Sequence, residues 1–347
     1  MRENLLSYTA LLLKKELPFL LIRQVNSDTV RILSQRDQKW HKSAPDNMTY
    51  GVFSKFQKSE DQVFIIAQED YNFTYKNTNS TPKELLNAVR LVDGEEQKRY
   101  TNLVAKAVLR LKESSLKKVV LSRKQSFQNS KSDTEILTDL LDAYPAANCY
   151  FFYHPKVGKW VGATPEVLVQ IDGVKLKTMS LAGTALYQEN EEHIWGKKEL
   201  EEQRLVTDFI IHNLQESGAD NIQESDVKTV RAGKLIHLRT DITATVNSKD
   251  KNIFIDALHP TPAVCGMPRN ESLDFINKNE NYDRSFYTGY LGMVDKGSAS
   301  YFVNLRCMEL HDDQVDIYVG GGVTALSDPN AEFEETLNKL STMKKLV

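Results

Sequence analysis

Three stretches of this chain carry side chains suited to metal or acid–base chemistry. The first is residues 330–347, NAEFEETLNKLSTMKKLV, where Glu332 and Glu335 stand three apart and Lys339 follows four later. Residues three and four apart are neighbours on a helix, so these three share one face. The second is Lys198-Glu199-Leu200-Glu201-Glu202-Gln203, which opens another helical pattern far earlier in the chain. Two acidic helices aiming carboxylates at one point would suit a hard divalent cation such as Mg²⁺, which takes oxygen ligands. The competing reading is two hydrated surfaces, the commoner fate of acidic helix faces.

The third stretch is KKVVLSR, residues 117–123. In a strand, Lys118, Val120 and Ser122 face one way while Val119, Leu121 and Arg123 face the other. An ammonium on a buried face must find a partner or lose its proton, and a lysine of lowered pKa can act as a general base. A lone lysine is more often an edge-strand side chain in solvent. Glu166 ends GATPE (162–166), a tight link between two strands that could deliver a general acid to a cleft; an idle surface glutamate is the alternative. Arg306, alternating with apolar neighbours in YFVNLR, suits bidentate capture of a carboxylate, or a structural ion pair.

Ala182-Gly183-Thr184 and Gly320-Gly321-Gly322 would let backbone approach a small anion. Neither precedes Gly-Lys-Ser/Thr nor fits GxGxxG, so nucleotide phosphate binding finds no support. A bulge or barrel corner competes for the triplet. His237 and His259 are possible ligands or acid–base groups, though strand histidines are more often satisfied core residues. HExxH, GxSxG and the kinase motifs are missing.

The elements that must position these groups follow from periodicity. Helical spacing runs over residues 95–112, 132–144 (capped by Ser132), 191–217 and 330–347. Strands are expected at 117–126, 148–154, 159–163, 167–171, 174–179, 227–230, 237–246, 285–294, 300–309 and 314–320, with Asp172-Gly173 as a tight hairpin. The first ninety residues read as short strands and turns, including strands at 19–22 and 63–67. Residues 77–82 read as a loop, and Thr81-Pro82 could start a helix. Strands arrive as hairpins without regular βαβ alternation, which favours α+β with large antiparallel sheets in one compact unit.

At 347 residues and 41% hydrophobic, the chain can bury a large core. The 44 Lys plus Arg against 47 Asp plus Glu leave a net charge of −3, so no basic excess points to nucleic acid or a membrane surface. Three widely spaced cysteines without CxxC fit a reducing compartment and argue against structural zinc. Leu11-Leu12-Leu13 is cut off by Lys14, Lys15 and Glu16, too short for a signal core or a span. A cytoplasmic location is expected.

Taken in order, KVVLSR, GATPE, LAGTA, KELEEQ, LHPTPAVCG, YDRSFYTGYLG, NLRC, GGGVTALSDP and AEFEETLNKL resemble the chorismate-utilising enzymes, most closely the isochorismate synthases, over residues 95–347. The resemblance implies one large α+β domain of two antiparallel sheets flanked by helices. Residues 1–90 would be its variable part and 91–347 its chorismate-binding catalytic region. It implies Mg²⁺ held by Glu202 and Glu335 with Glu332 close by. Lys118 would be the base activating water for attack at C2, and Glu166 the acid protonating the leaving C4 hydroxyl. Gly183, Thr184, His237, Ala263, Tyr287, Arg306, Gly320 and Lys339 would contact substrate. The implied partner is chorismate alone, with no nucleic acid or membrane, on a monomer or weak dimer.

Such chemistry is coherent. A small dianion needs cations to offset its charge, and base and acid must act at opposite ends of an allylic system. A lysine acting as base near pH 7 would need burial and nearby cations. Ala182 stands where aminodeoxychorismate synthases carry a lysine, which favours a small external nucleophile. Pro262-Ala263-Val264 departs from the anthranilate synthase pattern. Salicylate synthases, which go on to eliminate pyruvate, are the runner-up. Gln203 stands where the family usually has histidine; the metal-directed residue is Glu202, so metal binding should survive.

Overall fold

The computed structural model describes residues 2–45, 47–57, 62–76, 94–189, 193–232, 235–247 and 251–347. Among them the strands form two sheets, every pairing antiparallel. The first runs β14 (Gly266–Met267), β6 (Lys118–Gln128), β18 (Gln314–Val323), β17 (Cys307–Leu310), β8 (Gly158–Thr164), β7 (Asn148–His154), β1 (Phe19–Arg23), β2 (Thr29–Ser34), β5 (Glu69–Thr74). The second runs β11 (Asp220–Glu224), β13 (Leu235–Thr245), β10 (Lys175–Leu186), β9 (Val167–Asp172), β16 (Ser298–Val303), β15 (Tyr290–Asp295), β3 (Tyr50–Ser54), β4 (Val63–Ile66). A further strand, β12 (Lys228–Ala232), pairs with β13.

Aromatic and branched side chains fill the space between the sheets: Phe53, Phe152, Trp160, Phe286, Phe302 and Tyr318 belong to one cluster drawn from both. Helices cover the outer faces. Against the first sheet pack α1 (Arg2–Lys14), α3 (Asp133–Ala143), α2 (Gly94–Glu113), α6 (Arg269–Asn279) and α7 (Pro329–Lys344); against the second pack α4 (Lys197–Glu216) and α5 (Asn252–Leu258). This is the α+β domain expected from the chain's hairpin order. No described helix is long and apolar enough to cross a membrane.

Local chemistry explains where the site-bearing helices begin. Asp328 caps α7 by accepting from the Asn330 and Ala331 amides, and Pro329 follows in the first turn. Ser132 and Glu135 form a capping box on α3. In α2 the buried face is Tyr100, Val104, Ala107 and Leu111, a 3–4 spacing.

Several expectations need correction. The expected strand at 285–294 begins only at Tyr290; residues 285–289 form a turn in which Ser285 and Thr288 take positive φ. The single strand at 300–309 is two, β16 and β17, in different sheets. Residues 304–306 make the crossing, with Arg306 at φ +46°. The glycine triplet is neither bulge nor corner, since β18 pairs with β6 without a register shift from Gln314 through Val323. The N-terminal part opens with α1, not a strand. Its buried positions are Leu5, Thr9 and Leu12, so a threonine bonded back to the Leu5 carbonyl interrupts the apolar stripe. Both α5 and α6 went unread. The expected loop at 77–82 and the helix start at Thr81 lie outside the described residues.

Candidate active site

Two links in which the chain changes sheet lie side by side and carry two of the expected groups. Thr164-Pro165-Glu166 leads from β8 in the first sheet to β9 in the second, while Asn304-Leu305-Arg306 leads back from β16 to β17. They are stitched together: the Ala163 amide donates to the Arg306 carbonyl at 3.0 Å, and the Val303 amide to the Glu166 carbonyl at 3.1 Å. The links border a cavity of about 200 Å³ between the sheet ends, α4 and α7. Lys118, Glu166, Gly183, Thr184, Glu202, His237, Ala263, Tyr287, Arg306, Gly320, Glu332, Glu335 and Lys339 all line it. All thirteen residues that the family resemblance implies for metal, acid–base and substrate roles are therefore brought to one place, whereas His259, also singled out from the sequence, is not among them.

Lys118 stands at the start of β6, second from the sheet edge, and is 6% exposed. A solvated edge lysine is thereby ruled out. Its Nζ donates to Glu202 Oε1 at 2.6 Å. Where nearby cations were expected, its partner is a carboxylate supplied by α4. Glu335 accepts from Lys339 Nζ at 2.7 Å, and the same ammonium donates to the Gly320 carbonyl at 3.0 Å. Burial pushes the Glu335 carboxyl up, but Lys339 outweighs it and leaves the group below its usual value, with Glu202 opposing.

The glycine triplet makes room for this acidic corner. A Cβ on Gly321 would lie 3.3 Å from Glu332 Oε2 and 3.8 Å from Glu335 Oε1; one on Gly322 would lie 2.8 Å from Lys118 Cε and 3.7 Å from Glu202 Oε1. Three carboxylates from two helices thus converge on a cradle that any side chain would fill. An all-oxygen donor set of this kind fits a hard divalent cation.

Across the cavity the groups are drier. Glu166 is 5% exposed, and burial lifts its carboxyl to about 7, the nearby Lys118 charge pulling only weakly the other way. A carboxyl titrating there can hold and release a proton at neutral pH. Burial, then the charge of Arg306, lowers His237 to about 4, so its ring is neutral. Among the described residues no side chain pairs with the Arg306 guanidinium, which leaves a cation for an anionic ligand. Tyr287 stacks on Tyr318 at 5.6 Å, fixing that wall.

Gln203, the departure from the family pattern, faces away from the cavity. Its amide donates to Ser180 Oγ at 2.7 Å and lies 3.2 Å from Thr240 Oγ1, against the helix-covered face of the second sheet. His259 is likewise outside the cavity lining, bonded to the Phe56 carbonyl. Sequence reading missed Glu199, Thr288 and Tyr318, which also line the cavity. For Glu199 a signal existed: it precedes Glu202 by three, as Glu332 precedes Glu335. For Thr288 and Tyr318 there was none.

A family model described as chorismate binding enzyme matches residues 42–347. The chain belongs to the chorismate-binding enzyme family. Isochorismate synthase EntC of Escherichia coli (strain K12) is 30% identical over 276 residues, 76% of this chain and 70% of that one. Among solved structures, a Bacillus anthracis protein assigned as the 2,3-dihydroxybenzoate-specific isochorismate synthase DhbC superposes with a TM-score of 0.83 at 22% identity, covering 100% of this chain and 99% of that one. The menaquinone-specific isochorismate synthase MenF of Escherichia coli gives 0.82 at 20% identity, over 95% and 88%. At these identities the structural likeness speaks for the fold alone. Membership of the family fits a small-molecule substrate.

Proposed function

We propose that this protein converts chorismate reversibly to isochorismate. The observation that carries this reading is the pairing of a lysine from the first sheet with a carboxyl of raised pKa at the mouth of the second, across one small cavity. Water loses a proton to Lys118 Nζ as its oxygen bonds to C2. The ring double bonds shift, the C4–O bond breaks, and Glu166 gives its proton to the departing oxygen. One water enters and one leaves, so substrate and product are isomers.

Arg306 and Lys339 supply charge for the substrate's carboxylates, and Gly183, Thr184, Ala263, Tyr287 and Gly320 shape its seat. Glu202, Glu332 and Glu335 would hold Mg²⁺. When bound, the ion supplies Lewis-acid binding of a substrate carboxylate and offsets the charge of its own ligands.

Chorismate incubated with purified protein and Mg²⁺, with products separated chromatographically, tests this. Isochorismate is the expected product, at equilibrium with chorismate from either side. Salicylate with pyruvate, or anthranilate when ammonia is added, would replace the proposal. Lys118→Ala and Glu166→Ala should each lower kcat about 10²–10⁴-fold, the usual contribution of a general acid or base.

A further inference from the structure

His237 stands on β13 opposite an irregularity in β10. Pairing there shifts register between Ala182 and Ala185, and Gly183 takes φ +65°. That conformation costs glycine little, and the Gly183 carbonyl lies 3.0 Å from His237 Nδ1. Thr184 Oγ1 lies 3.2 Å from the same nitrogen and can take either role, but a carbonyl only accepts, so a proton on Nδ1 is the arrangement that satisfies the shorter contact. Since the ring is neutral, Nε2 is a bare lone pair. Yet Nε2 is buried without a hydrogen-bond partner among the described residues, on a side chain that is 8% exposed and lines the cavity. A buried acceptor with no donor is costly, so the site asks its ligand for an O–H or N–H.

We infer that the Gly183 bulge locks His237 as its Nδ1–H tautomer so that Nε2 accepts the ring hydroxyl of the substrate. The inference rests on the chorismate reading: both carboxylates of that dianion are acceptors at neutral pH, and its ring hydroxyl is its one donor. Glu166 leads into β9, the neighbour of β10, so acid and histidine belong to the same wall, with Lys118 from the other sheet. A hydroxyl whose hydrogen is held by Nε2 keeps its oxygen lone pairs for the Glu166 proton. This gives the bulge a function: it selects a tautomer, and through it a ligand with a hydroxyl.

The test is made by binding in a Lys118→Ala background, where turnover is slowed about 10²–10⁴-fold. Dissociation constants are measured for chorismate and for an analogue with hydrogen in place of the ring hydroxyl. Adding His237→Leu should weaken chorismate about tenfold, the scale of one neutral hydrogen bond with its desolvation, and leave the analogue unchanged. His237→Gln, with an amide oxygen near the Nε2 position, should recover most of the loss. Nitrogen NMR of histidine-labelled protein should show His237 with a protonated Nδ1 and a bare Nε2. Equal losses for both ligands would mean a packing role, no loss for either would mean that Nε2 meets only water, and an Nε2–H tautomer would contradict the lock; each overturns the inference while leaving the chorismate reading intact. Failure of chorismate to bind with His237 in place would overturn both.

Discussion

Glu166 has a property that reaches beyond its proposed role as the acid. Its carboxyl moves from an ordinary 4.5 to about 7 because folding strips it of water. The folded chain therefore holds this proton more tightly than the unfolded one. That stabilisation is fully present below about pH 4.5 and is lost as pH rises through 7. The difference corresponds to about 3 kcal/mol at alkaline pH. Glu166→Gln, which keeps the shape and removes the charge, should be more stable than the parent by up to that amount at pH 8 and equal to it at pH 4. Urea unfolding at the two pH values decides this, and equal stability at both would show that Glu166 is not desolvated. In the proposed role of general acid Glu166 must be protonated, so kcat should fall as pH rises past about 7. None of this was legible from GATPE, because the burial of Glu166 comes from two links meeting in space.

At the scale of elements, the site is a contact between one face of β18 and the faces of two helices. The 3–4 spacing on α7 was readable, and so was the acidic start of α4, because helical neighbours are fixed by sequence distance. What spacing could not say is that both faces meet over β18. The glycine triplet is the element that permits it: Gly321 lies in regular strand, so its missing side chain matters for space and not for backbone freedom. Gly321→Ala should therefore fold normally yet push a methyl group between Glu332 and Glu335. Its far-ultraviolet circular dichroism should match the parent's, while under the proposed Mg²⁺ reading the ion concentration for half-maximal activity rises about tenfold, as when supporting groups around a metal site are altered. An unchanged Mg²⁺ response would exclude this cradle as the metal's seat. Strand boundaries failed for a related reason. The run at 300–309 is apolar enough for one strand, but the chain leaves one sheet for the other at Arg306, and a crossing between two buried sheets carries no composition signal of its own.

At the scale of the whole molecule, the cavity exists only while the two sheets hold their mutual position. The aromatic layer from Phe53 to Trp160 supplies most of that cohesion, but it is non-directional. Direction comes from the rim. Arg31 on β2 forks onto Asp70 of β5 at 2.7 and 2.9 Å and onto Asp295 of β15, in the other sheet, at 2.7 and 2.8 Å; Thr49 donates to the same Asp295 at 3.0 Å. The clamp joins residues 264 apart in the chain, a separation over which spacing in the first ninety residues carries no signal. These groups are about a quarter to a third exposed, so water screens the attraction, and the clamp should be worth only about 1 kcal/mol. Arg31→Met, which keeps the apolar stem and removes the fork, should lower the midpoint of thermal unfolding by roughly 1–2 °C in a chain of this size. Added salt should shrink the difference, since the parent's clamp is screened and the variant has none to lose. Chorismate turnover at room temperature should be unaffected, because Arg31 is remote from the cavity lining. A loss of activity without loss of stability would mean instead that the relative set of the sheets, and not only their cohesion, is tuned from this edge.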